Sequence, residues 1–317
     1  MPADQELPAK PRIAVIGGGA ISGYYGGRLA EHGHDVHFLL RSDFAQVRDH
    51  GLEIFSPAGN AHLAVACASR ADDIGPCDLV IIGVKATGND ALPSLLPPLM
   101  HEQTALLLLQ NGLGGDEFLA KHFGAERVLG GLCFVCINRT APGVIHHLAQ
   151  GHIGIGEFSG ASFTRTRQIA EWFKSAKVGC SVEESLAAAR WKKLVWNIPF
   201  NGLSVAAGGL DTARILADPG LEKLVRDLMG EVVEGAARLG YALPANLIDG
   251  MIANTKPMQA YKTSSLLDYE AGREMEIEPI WGEPCRRAQA AGAGVPRLEM
   301  LYHLLRSIAA EQSAKRH

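Results

Sequence analysis

The stretch ESLAAARWKKLVWNIPFNGLSVAAGG, residues 184–209, is apolar apart from a few polar residues at regular intervals. Lys193, Asn197 and Asn201 recur at i, i+4 and i+8, so a helix would carry all three on one face. Their neighbours Leu194, Val195, Trp196, Ile198 and Phe200 are apolar, which is not the pattern of a solvated face. A cationic lysine on such a stripe could stabilise negative charge developing on a substrate oxygen and hand it a proton. Lys192 falls one residue off the stripe, which singles out Lys193. A row of hydrogen bonds between packed helices is the other reading open at this point. Pro199 removes one N–H from the helical ladder and is expected to kink it locally.

A second group of residues suits an anion. GGGAISG, Gly17 to Gly23, directly follows the apolar run RIAVIG and opens a helical segment. Gly17 permits a tight turn and Gly19 lets the backbone approach a pyrophosphate. Gly18, Ala20, Ile21 and Ser22 complete the loop and a helix N-terminus, whose free N–H groups and positive dipole favour the anion. Ser22 stands at the third glycine position of the dinucleotide fingerprint, with Gly23 one residue later; serine is small enough for helix and strand to pack. The second strand ends FLLRSD, placing Arg41 where an NAD site would carry an acid. An arginine beside Ser42 suits a 2′-phosphate, so NADP is favoured, while Asp43 keeps NAD open.

Further polar residues follow apolar runs. VIIGVK ends at Lys85, and LLLLQNG ends at Gln110, Asn111 and Gly112. In an open parallel sheet, ligands bind beyond the carboxyl ends of strands, so Lys85 and Asn111 are candidates for the nicotinamide end of the cofactor. Helix caps or turns would use the same residue types. The segment KTSSLLDYEAGREMEIEPI, residues 262–280, offers Ser264, Asp268 and Glu276, with a helix cap for Ser264 and surface positions for the acids as the simpler alternatives. Cys133-x-x-Cys136 with His146 and His147 is not expected to bind zinc, because residues three apart in a strand point to opposite faces. No metal is expected.

The elements that must hold these residues fall into two textures. Nearly continuous apolar strands at 12–17, 35–40, 78–84 and 104–110 alternate with helical segments, the pattern of a parallel sheet covered on both faces. A hairpin across 128–137 and 143–156, a helix at 164–175 and a short strand at VGCSVEE close this half. From about residue 185, helical spacing takes over at 185–206, 219–239, 267–291 and 296–313. The expected division is a nucleotide-binding α/β domain at 1–184, with 1–11 a frayed tail, and an all-helical substrate and catalytic domain at 185–317. The 317 residues are 47% hydrophobic and 20% charged with net charge −4, which excludes a disordered chain and gives no electrostatic footprint for nucleic acid. Six scattered cysteines fit a reducing cytoplasm, and no membrane span or signal peptide is expected. Apolar faces of the helical half could support a homodimer.

From Arg12 onward the chain resembles the ketopantoate reductase (2-dehydropantoate 2-reductase) family. The likeness is carried by GGGAISGYYGGRLA, LVIIGVKA, LLQNGLG, WKKLVWNIPFNGLS and TSSLLDYEAGREMEIEPI, in that order. It implies a Rossmann-type parallel-sheet domain followed by an all-α domain, with NADPH as hydride donor and a small 2-keto acid as substrate. It implies the glycine loop at Gly17 and Gly19, the phosphate-reading arginine at Arg41, and cofactor-side residues at Lys85 and Asn111. It also implies Lys193 as the catalytic lysine, with Asn197, Asn201, Ser264 and Glu276 on the substrate. Asn111 would orient both nicotinamide and substrate. The chain departs from the family at Ser22 and in EPIWGEP after Glu276, where Trp281 replaces a short segment containing Asn-Gly. That second departure bears on which substrate is native. A related NADP-dependent hydroxy-acid dehydrogenase and a non-catalytic NADP-binding sensor are the competing expectations.

Overall fold

In the computed structural model, which describes residues 6–160 and 164–314, alternate residues of the first strand serve two different cores. Strand β1 (Arg12–Ile16) sends Ile13 and Val15 to one face of a sheet and Ala14 and Ile16 to the other. Helix α1 (Ala20–Glu31) leads to β2 (Asp35–Leu39), α2 (Phe44–His50) and three short strands, β3 (Leu52–Phe55), β4 (Ala61–Leu63) and β5 (Ala66–Ala68). Next come β6 (Leu79–Ile82), α3 (Leu92–Leu95), β7 (Ala105–Leu108) and α4 (Gly115–Phe123). Both β6 and β7 divide their residues as β1 does, which is why all three read as unbroken apolar runs. The long hairpin β8 (Val128–Ala141) and β9 (Val144–Glu157), helix α5 (Thr164–Ser175) and β10 (Cys180–Val182) complete this part.

Among the described residues the strands form one sheet in the order β4-β3-β9-β8-β7-β6-β1-β2-β5, with β10 also paired to β9. Pairing is parallel except at β3–β4 and β8–β9. The parallel centre brings the carboxyl ends of β1, β6 and β2 to one edge, where Gly17, Lys85 and Arg41 follow them. The sequence did not show α2 or β3 to β5. Strands of three or four residues carry too short a pattern to read, and pairing makes them: β5 with β2, β3 with β9 and β4 with β3.

The rest is helical: α6 (Leu186–Ala206), α7 (Thr212–Ala217), α8 (Pro219–Arg238), α9 (Leu247–Thr255), α10 (Ser264–Glu270), a π-helical turn at Glu278–Gly282, α11 (Glu283–Ala290) and α12 (Pro296–Ala314). Its core gathers Trp191, Leu194, Val195, Ile198 and Phe200 of α6 around Trp281 and Leu298. Buried Glu231 of α8 accepts the N–H groups of Arg297 and Leu298, so a carboxylate meets the positive end of α12. The single helix expected over 267–291 is broken instead. Arg273 folds back on α10, its N–H donating to the Asp268 carbonyl at 2.7 Å and its Nε to Asp268 Oδ1 at 2.9 Å, and the chain runs irregularly to the π turn.

The chain divides into two compact units: residues up to Gln110 with Gly115–Leu186, and Asn111–Gly114 with the residues from Ala187 onward. The loop carrying Asn111 thus groups with the helices, not with the strand that precedes it. The expected frayed tail needs correction at Leu7, which is buried, accepts from Gln168 Nε2 at 3.2 Å and donates to Gln168 Oε1 at 2.8 Å. Residues 1–5 of that tail lie outside the described residues. No described helix is long and apolar enough to cross a membrane.

Candidate active site

The glycine loop turns as its residue types require. Gly17 has φ +99°, and a Cβ there would lie 2.9 Å from Val84 Cγ1, so only glycine fits. Helix α1 then starts at Ala20 with no acid in its first turn, leaving the N–H groups of Ala20, Ile21 and Ser22 at a positive helix end. Gly19 opens onto space: a Cβ there would meet only the Gly83 carbonyl, at 3.9 Å. Gly17 to Ile21 are half-buried, as a cradle for a ligand needs.

Ser22 keeps the close packing that a third glycine would give. Its hydroxyl is buried and donates to the Ile16 carbonyl at 2.9 Å. The partner strand makes room with Gly83, where a Cβ would stand 2.3 Å from Ser22 Oγ. The glycine has in effect moved across the contact from helix to strand.

Arg41 is exposed and makes no ion pair or side-chain hydrogen bond among the described residues. Asp43 is the opposite. Its Oδ1 accepts the Ser42 hydroxyl at 2.8 Å and one Nη of Arg139 at 2.5 Å; its Oδ2 accepts Arg139 Nε at 2.8 Å and the Gly143 N–H at 3.2 Å. Burial alone would raise this carboxyl, but the hydrogen bonds from Arg139, Ser42 and Gly143 outweigh it and hold it below the ordinary range. A carboxylate has about four acceptor positions, and all are used. Asp43 therefore has nothing left for ribose hydroxyls, and the NAD alternative it kept open loses its acid. An open loop, a helix N-terminus and an uncommitted arginine fit NADP. Lys85 is half-buried just beyond β6, immediately before a 3-10 turn over Ala86–Ala91.

In the helical unit, α6 presents its stripe as the spacing predicts. Lys192 is exposed and Lys193 half-buried. Lys193 Nζ donates to Asn111 Oδ1 at 2.9 Å, joining residues 82 positions apart. The Asn111 loop is held there by backbone. Leu113 N–H donates to the Pro279 carbonyl at 2.9 Å. Gly112, at φ +82°, passes so close that a Cβ would stand 2.2 Å from the same oxygen. One turn along α6, Asn197 is 8% exposed, and its side chain has no hydrogen-bond partner among the described residues. Two turns along, Asn201 Oδ1 accepts the Ser264 hydroxyl at 3.3 Å and the Ser265 N–H at 3.1 Å.

The cap of α10 is Thr263, whose hydroxyl accepts the Leu266 N–H, so Ser264 is not spent on capping. Glu276 is half-buried in the stretch before the π turn. Asp268 is engaged with Arg273.

Trp281 requires a correction. The sequence suggested that it bears on the substrate, yet it is fully buried in the helical core. Its indole Nε1–H donates to the Ile198 carbonyl at 3.0 Å, and Gly202 leaves the room: a Cβ there would stand 3.0 Å from that nitrogen. It braces α6 beside Pro199 and Asn197. Sequence reasoning missed this brace, the Pro279 contact and Arg139. The first two have no period to reveal them, and Arg139 meets Asp43 from 96 residues away. Among the described residues no three His, Cys, Asp or Glu side chains converge as metal ligands.

Comparison with known proteins agrees over most of the chain. The family model for ketopantoate reductase PanE/ApbA matches residues 13–160, and that for its C-terminal domain matches residues 185–309. A 2-dehydropantoate 2-reductase of Nostoc sp. is 40% identical over 301 residues, covering 93% of this chain and 94% of the relative. The crystal structure of a 2-dehydropantoate 2-reductase from Geobacter metallireducens superposes with a TM-score of 0.91 at 43% identity, covering 93% of this chain and 99% of that one. That from Methylococcus capsulatus gives 0.89 at 35% identity, covering 95% and 98%.

Proposed function

Because the chain belongs to the ketopantoate reductase family, we propose that it catalyses the NADPH-dependent reduction of 2-dehydropantoate to pantoate, a step of pantothenate biosynthesis. The observation that carries this reading is the stripe of α6. A lysine held by Asn111 stands one turn from Asn197, a mostly buried residue whose amide has no hydrogen-bond partner among the described residues yet is not sealed from solvent. A row of helix–helix hydrogen bonds would pair that amide, and here it stays open to a ligand. An oxygen-rich substrate would satisfy it.

NADPH, when bound, supplies the hydride. Gly17, Gly18 and Gly19 with the N–H groups of Ala20, Ile21 and Ser22 would hold its pyrophosphate, Arg41 its 2′-phosphate, and Lys85 and Asn111 its nicotinamide side. Hydride addition to the ketone carbon puts negative charge on the ketone oxygen. The Lys193 ammonium stabilises that charge and donates the proton. Asn197, Asn201 and Ser264 hold the carboxylate or hydroxyl of the substrate. Glu276 binds a substrate hydroxyl or keeps Lys193 charged, as a nearby carboxylate does. Trp281 is buried in the helical core, so no substrate contact is assigned to it. The reading makes the protein a cytoplasmic enzyme, in keeping with six free cysteines.

The test is the consumption of NADPH by purified protein with 2-dehydropantoate and a panel of other 2-keto acids. The highest kcat/KM is expected for 2-dehydropantoate. A clear preference for another keto acid would make it a sister reductase, and nucleotide binding without turnover on any of them would make it a sensor.

A further inference from the structure

An acid just beyond the second strand is what an NAD site uses to read ribose. This chain has the acid, Asp43, and a distant arginine that takes it out of use. We infer that Arg139, through its two-pronged pair with Asp43, is a positioning residue that sets the preference for NADPH over NADH. The inference rests on the reading of the glycine loop as the NADPH site.

Asp43 forms part of that loop's wall. A Cβ on Gly18 would lie 3.0 Å from both Asp43 Cγ and Oδ2. A bare carboxylate there would do two things. It would accept ribose hydroxyls and repel a 2′-phosphate. It would also draw on Arg41, the cation two residues away that otherwise has no partner among the described residues. The fork from Arg139 prevents both, since a guanidinium binds a carboxylate through two parallel N–H···O bonds and neutralises it. The pair is unequal in exposure. Asp43 is 3% exposed and Arg139 35%, so the acid is covered while the cation remains near solvent and any incoming phosphate. Arg139 reaches Asp43 from β8, and Gly143 of the hairpin turn adds its N–H to the same carboxylate. One hairpin thus delivers every long-range donor that silences the acid.

The test is direct titration of NADPH and NADH into wild type, Arg139→Gln, Asp43→Asn and the double variant, read as the ratio of the two Kd values. Arg139→Gln is expected to lower the preference for NADPH by at least roughly tenfold, the effect of an exposed like charge at close range. Asp43→Asn should keep or raise the preference. The double variant, which removes both charges and leaves no uncompensated buried ion, should restore it to within about threefold of wild type. This arm remains readable even where Arg139→Gln fails to fold. Equal weakening of both nucleotides in Arg139→Gln, or a low ratio persisting in the double variant, would overturn the inference and leave the pair a purely structural clasp. Wild type that binds neither nucleotide would overturn the NADPH reading itself, and the inference with it.

Discussion

Lys193 and Asn197 lie one helical turn apart and differ in what the protein gives them. The lysine ammonium has three donors, and one goes to Asn111 Oδ1 at 2.9 Å, which aims Nζ. The buried Asn197 amide receives no partner among the described residues. A ligand group that reaches this amide makes a hydrogen bond without breaking one within the described residues. Asn197→Ala is therefore expected to raise KM for the keto acid roughly tenfold, equivalent to one hydrogen bond, with a smaller effect on kcat. Its melting temperature should stay close to that of wild type, because no hydrogen bond within the described residues is lost. Steady-state kinetics with a thermal melt decides the matter: unchanged KM with lost stability would make Asn197 scaffold. This stripe was legible because helical spacing is a local property of sequence. Asn111, its partner, showed only as a polar residue after a strand, and Arg139 gave no signal at all.

At the scale of elements, the π turn at Glu278–Gly282 and helix α6 form one device. The Pro279 carbonyl fixes the loop that carries Asn111, and the Trp281 indole holds the Ile198 carbonyl next to Asn197. The same five-residue turn therefore braces both sides of the lysine. Trp281→Phe keeps most of the packing and loses one hydrogen bond, about 1 kcal/mol. For a chain of this size that corresponds to a fall in Tm of roughly 1–2 °C. The order of preference among 2-keto acids should not change, since Trp281 is core. A substrate panel run on the variant checks this, and a reordered preference would return Trp281 to the substrate site. The sequence showed a bulky residue where the family has a small polar segment. It could not show the direction in which the side chain points, because that depends on Gly202, 79 positions earlier, leaving a slot beside α6.

At the scale of the molecule, the α/β half was legible wherever a strand is buried on both faces, as β1, β6 and β7 are. It was not legible at the edges, where β4 and β5 exist only through their neighbours. The α/β unit also carries a pH sensitivity. His147 is buried against Tyr24, with Nδ1 2.7 Å from the Ser56 hydroxyl and Nε2 3.1 Å from the Gln150 carbonyl. Burial lowers its pKa below 6.5, against the weaker opposing pull of backbone carbonyls. The unfolded chain then takes up a proton that the folded chain resists, so stability is full above about pH 6.5 and falls as pH drops below it. Thermal melts should show that loss in wild type and less of it in His147→Asn; His34, lowered for the same reason, leaves a residual slope in both. An identical slope in the two proteins would remove His147 from the explanation. The most direct measurement of the whole reading is NADPH oxidation with 2-dehydropantoate by wild type and Lys193→Ala, alongside a titration of NADPH into each. Turnover by wild type, a loss of roughly 10²- to 10⁴-fold in kcat for the variant and an unchanged Kd for NADPH are expected; near-normal turnover by Lys193→Ala would contradict it.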